Sequence, residues 1–254
     1  MRGLRTAASL LTRVPLGWGT WGRRDLARSV PWFPVVGGLI GLALAGAYAG
    51  LLLVLPALPA AAVTLGLSLL LTGAFHEDGL ADSADALGGG GTREEVLRIL
   101  KDPSHGTYGV LAMVMSVVLR IAALSTLDGW TALAVLPGAH ALSRGAAVRL
   151  LATVRPATEE GLGASFGSAV TRRDAATSVA AALLIGIVSM GGWVTAAALV
   201  AGLCSWAVGR LAVRRIGGIT GDMSGAAQQT AEILLLLLGA AAVAGGWPSP
   251  AWWR

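Results

Sequence analysis

Seven strongly apolar runs of 15 to 22 residues alternate along the chain with polar connections. They cover Pro34–Leu55, Ala60–Phe75, Tyr108–Leu127, Thr131–Leu151, Ala175–Met190, Val194–Val208 and Thr230–Ala244. A helix needs about 20 apolar residues to cross a bilayer core, so the pattern predicts an all-α, polytopic membrane bundle of about seven helices. Gly37 with Gly41, and Gly46 with Gly50, form small-xxx-small pairs that let helices approach closely. Pro56 and Pro59 predict a tight turn, as does Asp128-Gly129. Gly191-Gly192 joins the fifth and sixth runs, and residues 152–174 and Arg210–Gly225 read as polar loops, the second rich in glycine.

Composition agrees with a membrane setting. The 254 residues are 55% hydrophobic and 13% charged, where a soluble domain carries roughly 25% charge. Mean hydropathy is +0.70. The chain reads as one integral membrane domain, 1–254, with 1–33 an interfacial N-terminal segment and 34–254 the bundle. That segment holds Arg2, Arg5, Arg13, Arg23, Arg24 and Arg28 with Trp18, Trp21 and Trp32, which suits an amphipathic helix at the lipid headgroups. Trp252 and Trp253 would anchor the far end of the last run. Cys204 is single, allows no internal disulfide and reads as a small core residue.

The net charge of +5 does not point to nucleic acid, because the basic residues gather at the ends of apolar runs and act as topology signals. With the N-terminus inside, the inner segments 1–33, 76–107, 152–174 and 209–229 hold 15 of the 19 basic residues. The outer segments hold only Arg254; Arg120, Arg144 and Arg149 lie within runs. Seven spans and an outer C-terminus fit this asymmetry, and every glycine-rich polar loop then falls on the cytoplasmic face. The bilayer is the implied partner, and association into a homo-oligomer stays open.

The stretch Leu71–Tyr108 carries seven of the 14 acidic residues. Asp78, Asp82 and Asp85 stand at i, i+4 and i+7, one face of a helix. Unpaired carboxylates on one stripe repel each other; a divalent cation relieves this, and Mg²⁺ suits oxygen ligands and substrate phosphates. Gly88–Gly91 reads as a flexible break, and Thr92-Arg93-Glu94-Glu95 as a capping box opening a short helix that ends near Lys101. Arg144 inside a span needs a partner, either an anion or an acidic residue, while Arg149 is close enough to the interface to snorkel. Asp222 sits in Gly217–Gly225, where glycines let backbone approach a ligand. That loop is expected to order over a bound diphosphate. His76, His105 and His140 read as structural. With no Walker lysine motif and no nucleophile elbow, these features suggest transfer from a diphosphate-linked donor to an alcohol at the membrane face.

Phe75-His76-Glu77-Asp78-Gly79-Leu80-Ala81-Asp82-Ser83-Ala84-Asp85, Lys101-Asp102 with Gly106-Thr107-Tyr108-Gly109, and Gly217-Gly218-Ile219-Thr220-Gly221-Asp222 resemble, in the same order, the motifs of the cobalamin synthase family, the adenosylcobinamide-GDP ribazoletransferases. Leu11-Thr12-Arg13-Val14-Pro15 and Phe33-Pro34-Val35-Val36-Gly37 are similar to that family's opening. Departures are Ala86 in place of a usual glycine, and Pro103-Ser104-His105 in place of a Ser-Arg-hydrophobic run. The resemblance implies a Mg²⁺-dependent enzyme of the cell inner membrane. It would join adenosylcobinamide-GDP to α-ribazole or its 5′-phosphate and release GMP, late in cobalamin biosynthesis. It implies metal ligands among Glu77, Asp78, Asp82 and Asp85. Lys101 and Arg144 would contact phosphate oxygens, and Asp102, Tyr108, Gly218, Thr220 and Gly221 would also touch substrate. Asp85 or Asp222 would take the acceptor's proton. The CDP-alcohol phosphotransferases have a similar acidic stripe and form one alternative. A cation transporter forms another, against which the acids gather at one face and no broken helices repeat in two halves.

Overall fold

The computed structural model describes residues 2–16, 22–159 and 161–250. Trp18, Trp21, Trp252, Trp253 and Arg254 lie outside the described residues. The described chain is helical throughout: α1 (Arg2–Leu11), α2 (Arg23–Ser29), α3 (Phe33–Leu51), α4 (Ala57–Thr72), α5 (Phe75–Gly89), α6 (Arg93–Ile99), α7 (Thr107–Leu124), α8 (Gly129–Thr153), α9 (Leu162–Ala169), α10 (Arg172–Met190), α11 (Val194–Ile216) and α12 (Gly221–Ala244). Each of the seven apolar runs is a helix: α3, α4, α7, α8, α10, α11 and α12.

Among the described residues, four helical stretches are long and apolar enough to cross a membrane, or five if the pair α4–α5, bent by 91°, counts as one span. One of the four, 172–216, contains two helices. Gly145 of α8 packs on Ala182 and Gly138 packs on Met190, while Ser205 bonds Ala146 and Gly209 packs on Leu150. Contacts therefore run down α8 along α10 and back up it along α11. The reversal lies at Gly191, whose φ of 53° falls in the left-handed region. Leu39, Leu70, Leu111, Leu184, Leu199 and Trp206 stand outward from five of these helices, a belt that suits lipid rather than water. α8 is the centre: it is buried along nearly its whole length, with α3, α10, α12 and α11 around it.

Local chemistry explains the element ends. Asp128 Oδ1 accepts the Thr131 N–H at 2.6 Å and starts α8. The capping box at Thr92 forms as expected: Thr92 Oγ1 accepts from Glu95 N at 3.2 Å, and the Glu95 carboxylate accepts from Thr92 N at 3.1 Å. Thr171 and Asp174 make a second box at the start of α10. The structure corrects two loops. Arg210–Gly225 is mostly helix, because Gly217 ends α11 at φ 75° and Thr220 Oγ1 caps Met223 N to start α12. Only residues 217–220 connect them. Residues 152–174 contain α9 and the first turn of α10.

The polar connections meet at one end of the bundle. Ala157 N donates to Ile219 O and Ile219 N to Arg155 O, each at 2.9 Å, in an isolated parallel bridge. Arg93 donates to Ile216 O and Ala157 O, both at 3.0 Å. Arg215 donates to Leu87 O at 3.2 Å. These bonds tie α5–α6, the 155–157 segment and the α11–α12 junction into one layer.

Candidate active site

α5 leaves α4 through two left-handed residues, Gly73 (φ 68°) and Ala74 (φ 55°). A non-glycine residue there costs about 1–2 kcal/mol. The bend turns α5 across the end of the bundle and sets its carboxylates along the polar layer. Asp78 and Asp82 lie one turn apart and share His105, at 3.8 and 3.5 Å. One ligand atom from each of the three lies within 4.8 Å of the others. Burial pushes the Asp82 carboxyl up to about 6, and Asp78 and Asp222 add to the rise. His105, read as structural from the sequence, thus lies against both carboxylates of the cluster.

The other two predicted metal ligands have different partners. Asp85 is buried, and its two oxygens accept backbone N–H bonds from Gly106 at 2.7 Å and Gly109 at 2.9 Å. It holds the N-terminus of α7, where an anion is favoured. A Cβ on Gly109 would run into Asp85 Oδ2, so glycine is required at that contact. Glu77 faces inward and pairs with Arg120 at 2.9 Å.

A cavity of about 300 Å³ opens beside the cluster. Asp78, Lys101, Arg144, Thr220, Gly221 and Asp222 line it, so the structure brings together six of the residues singled out from the sequence. α12 delivers Asp222 in its first turn, beside the packed backbone of Gly79. Three others are elsewhere: Asp102 accepts from Ser104 in its own turn, the Tyr108 ring covers Gly88, and Gly218 lies on the backbone of 155–157. Two hard carboxylates with a third nearby fit a Mg²⁺ ion; the His105 nitrogen is a softer donor that Mg²⁺ does not favour.

Beneath the cavity is a buried ionic group in which Glu232 is central. Its Oε2 meets Arg144 Nη1 at 3.3 Å and His140 Nδ1 at 3.2 Å, and its Oε1 meets Arg120 Nη1 at 3.5 Å. Gln228 donates to the same carboxylate at 2.8 Å and to Ser143 at 3.0 Å. With Glu77 on Arg120, two guanidinium groups face two carboxylates. Arg144 is therefore ion-paired and also lines the cavity, while its Nε, shut off from solvent, has no hydrogen-bond partner. Glu232 and Gln228 were missed in the sequence, whereas His140, read there as structural, belongs to this group. The available signal was one carboxylate within an apolar run, matched by arginines within two others.

Comparison with known proteins adds to this geometry. Residues 3–240 match the family described as cobalamin-5-phosphate synthase. The chain is 43% identical over 244 residues to an adenosylcobinamide-GDP ribazoletransferase of Ralstonia nicotianae, covering 92% of this chain and 93% of that protein. A protein of the same name from Bradyrhizobium diazoefficiens is 41% identical, covering 94% and 93%. One from Azorhizobium caulinodans is 40% identical, covering 91% and 92%. No solved structure matches.

Proposed function

The chain belongs to the cobalamin-5-phosphate synthase family, and from that premise we propose that the cavity and its carboxylates carry the transfer for which its relatives are named. The protein joins adenosylcobinamide-GDP to ribazole at the membrane with release of GMP, a late step of cobalamin biosynthesis. The reading of the site rests on one observation. Asp78 and Asp222 line the same cavity as Lys101 and Arg144, so acids for a metal and a proton stand beside cations for phosphate.

Lys101 and Arg144, which both line the cavity, contact the diphosphate oxygens. The first turn of α12, with Thr220 and Gly221, offers backbone N–H groups to the same anion. Asp78 and Asp82 would hold Mg²⁺, which when bound neutralises charge on the diphosphate. The acceptor hydroxyl oxygen bonds to the phosphorus that carries cobinamide. The bond from that phosphorus to the bridging oxygen breaks, and GMP leaves with the electron pair. The hydroxyl proton passes to Asp222. Asp222 is a better base than Asp85, whose oxygens are both taken by backbone N–H groups.

The site faces the cytoplasm in this reading, with seven crossings and an inner N-terminus. The gathering of the basic connections at the site's end of the bundle supports that orientation. A reporter inserted after Glu159 should read cytoplasmic, and an external signal there would overturn it. The activity test is GMP release by the protein in lipid nanodiscs given adenosylcobinamide-GDP, α-ribazole and Mg²⁺. GMP should appear with cobalamin, stop with chelator and return with Mg²⁺. Release that ignores α-ribazole would contradict transfer, and release that ignores chelator would contradict the metal role.

A further inference from the structure

The cavity lining divides by chemistry. Its polar part comes from α5, the start of α12 and Thr158, with Lys101 and Arg144. The apolar part comes mainly from other elements, among them Leu10 of α1, Phe33 of α3, Leu97 of α6, Val148 and Leu151 of α8, and Phe166 of α9. These six belong to one continuous apolar cluster, so they form one wall rather than scattered spots. Phe33 and Phe166 meet edge to face at 5.7 Å. Three of the contributing helices, α1, α6 and α9, come from segments outside the seven apolar runs.

We propose that this wall is the seat of the acceptor's heterocyclic base, the dimethylbenzimidazole of ribazole, and that it orients the ribose hydroxyls toward Asp222; the inference rests on the transferase reading above. The reaction brings two heterocycles to the site, guanine on the donor and dimethylbenzimidazole on the acceptor. The six wall side chains offer no hydrogen-bond group. Guanine's polar edge would be desolvated there without partners, which is costly. A flat base whose outer edge is two methyl groups loses nothing of that kind and gains from burial. Aromatic edges and faces suit such a ring. Size agrees: about 300 Å³ is at the low end of small-ligand sites, roughly 300–1,000 Å³. A nucleoside fits that space, whereas a corrinoid bearing a nucleotide is several times larger and must present only its diphosphate.

The test is steady-state kinetics in nanodiscs with each substrate varied in turn, for wild type, Phe166→Ala and Leu97→Ala. Losing packing groups from a substrate pocket typically costs about 10- to 200-fold. Acceptor KM should rise by about tenfold or more in Phe166→Ala, and by less in Leu97→Ala, with donor KM held within about twofold. Leu97→Ala on the short surface helix α6 keeps the test open should Phe166→Ala fail to fold. A rise in donor KM alone would assign the wall to the donor and overturn the proposal, as would variants in which neither KM moves. Wild-type protein that leaves α-ribazole unreacted would instead overturn the transferase reading, and this inference with it.

Discussion

Replacing Glu232 by Gln removes one negative charge from the middle of the bundle and almost no volume. Glu232, Arg120 and Arg144 are each at most 4% exposed in their side chains. The remaining group would hold two guanidiniums against Glu77 alone, with His140 still 3.2 Å from the vacated charge. Breaking a buried pair by removing one partner costs about 3–5 kcal/mol, because the other charge stays desolvated. At about 2–4 °C per kcal/mol for a chain of this size, the apparent melting temperature should fall by about 10 °C. Tryptophan fluorescence of the protein in detergent, at one scan rate, measures it. Glu94→Gln is the control: Glu94 is 78% exposed, pairs with Arg93 only at 4.0 Å, and should change stability by less than about 0.5 kcal/mol. Adding Arg144→Gln to Glu232→Gln restores charge balance and should recover part of the loss, the sign of coupling between neighbours. A fall in Glu232→Gln no larger than that of the control would refute the view that this ionic group stabilises the bundle.

Gly109→Ala should behave as an assembly defect, since its methyl would enter the Asp85 carboxylate; mild protease should then cut the 101–107 connection faster than in wild type, and equal rates would contradict the anchor. Asp82→Asn should stabilise the metal-free protein at pH 7.5. The folded carboxyl keeps its proton up to about pH 6, where an ordinary one releases it near 3.8, so the folded state loses stability as the pH rises between those values. The gain in melting temperature should disappear below about pH 4 and reverse when Mg²⁺ is added, and a gain independent of both would sink the assignment of Asp82 to the cluster.

Much of the bundle was legible because a bilayer imposes long apolar helices: each apolar run is a helix, and four stretches, or five, among the described residues pass for spans by length and apolarity. The capping box at Thr92 was legible because it is local. The helical spacing of Asp78 and Asp82 correctly set them one turn apart, but it could not say what each faces. Asp85 shares their stripe yet turns to backbone N–H groups 21 and 24 residues further on. Gly217–Gly225 looked like a mobile loop because glycine density outweighed two short signals. One was Gly217 as a left-handed helix end and the other Thr220 as a cap, three residues apart. The buried ionic group depends on helices α7, α8 and α12 meeting, and only packing brings Arg120, Arg144 and Glu232 together. The apolar wall of the cavity was hidden for the same reason, since α1, α6 and α9 reach it from three distant parts of the chain.

The proposed transfer depends most on Asp222 acting at the reacting hydroxyl. Asp222→Asn keeps the shape of the cavity and removes the proton acceptor. Donor affinity, measured by equilibrium binding of adenosylcobinamide-GDP to nanodisc-held protein, should stay within about threefold of wild type. Turnover, measured as GMP release in the same preparation, should fall by about 10²- to 10⁴-fold, the usual worth of a general base. Turnover within a few-fold of wild type at unchanged donor affinity would show that Asp222 takes no proton, and the proposed chemistry of the cavity would be wrong.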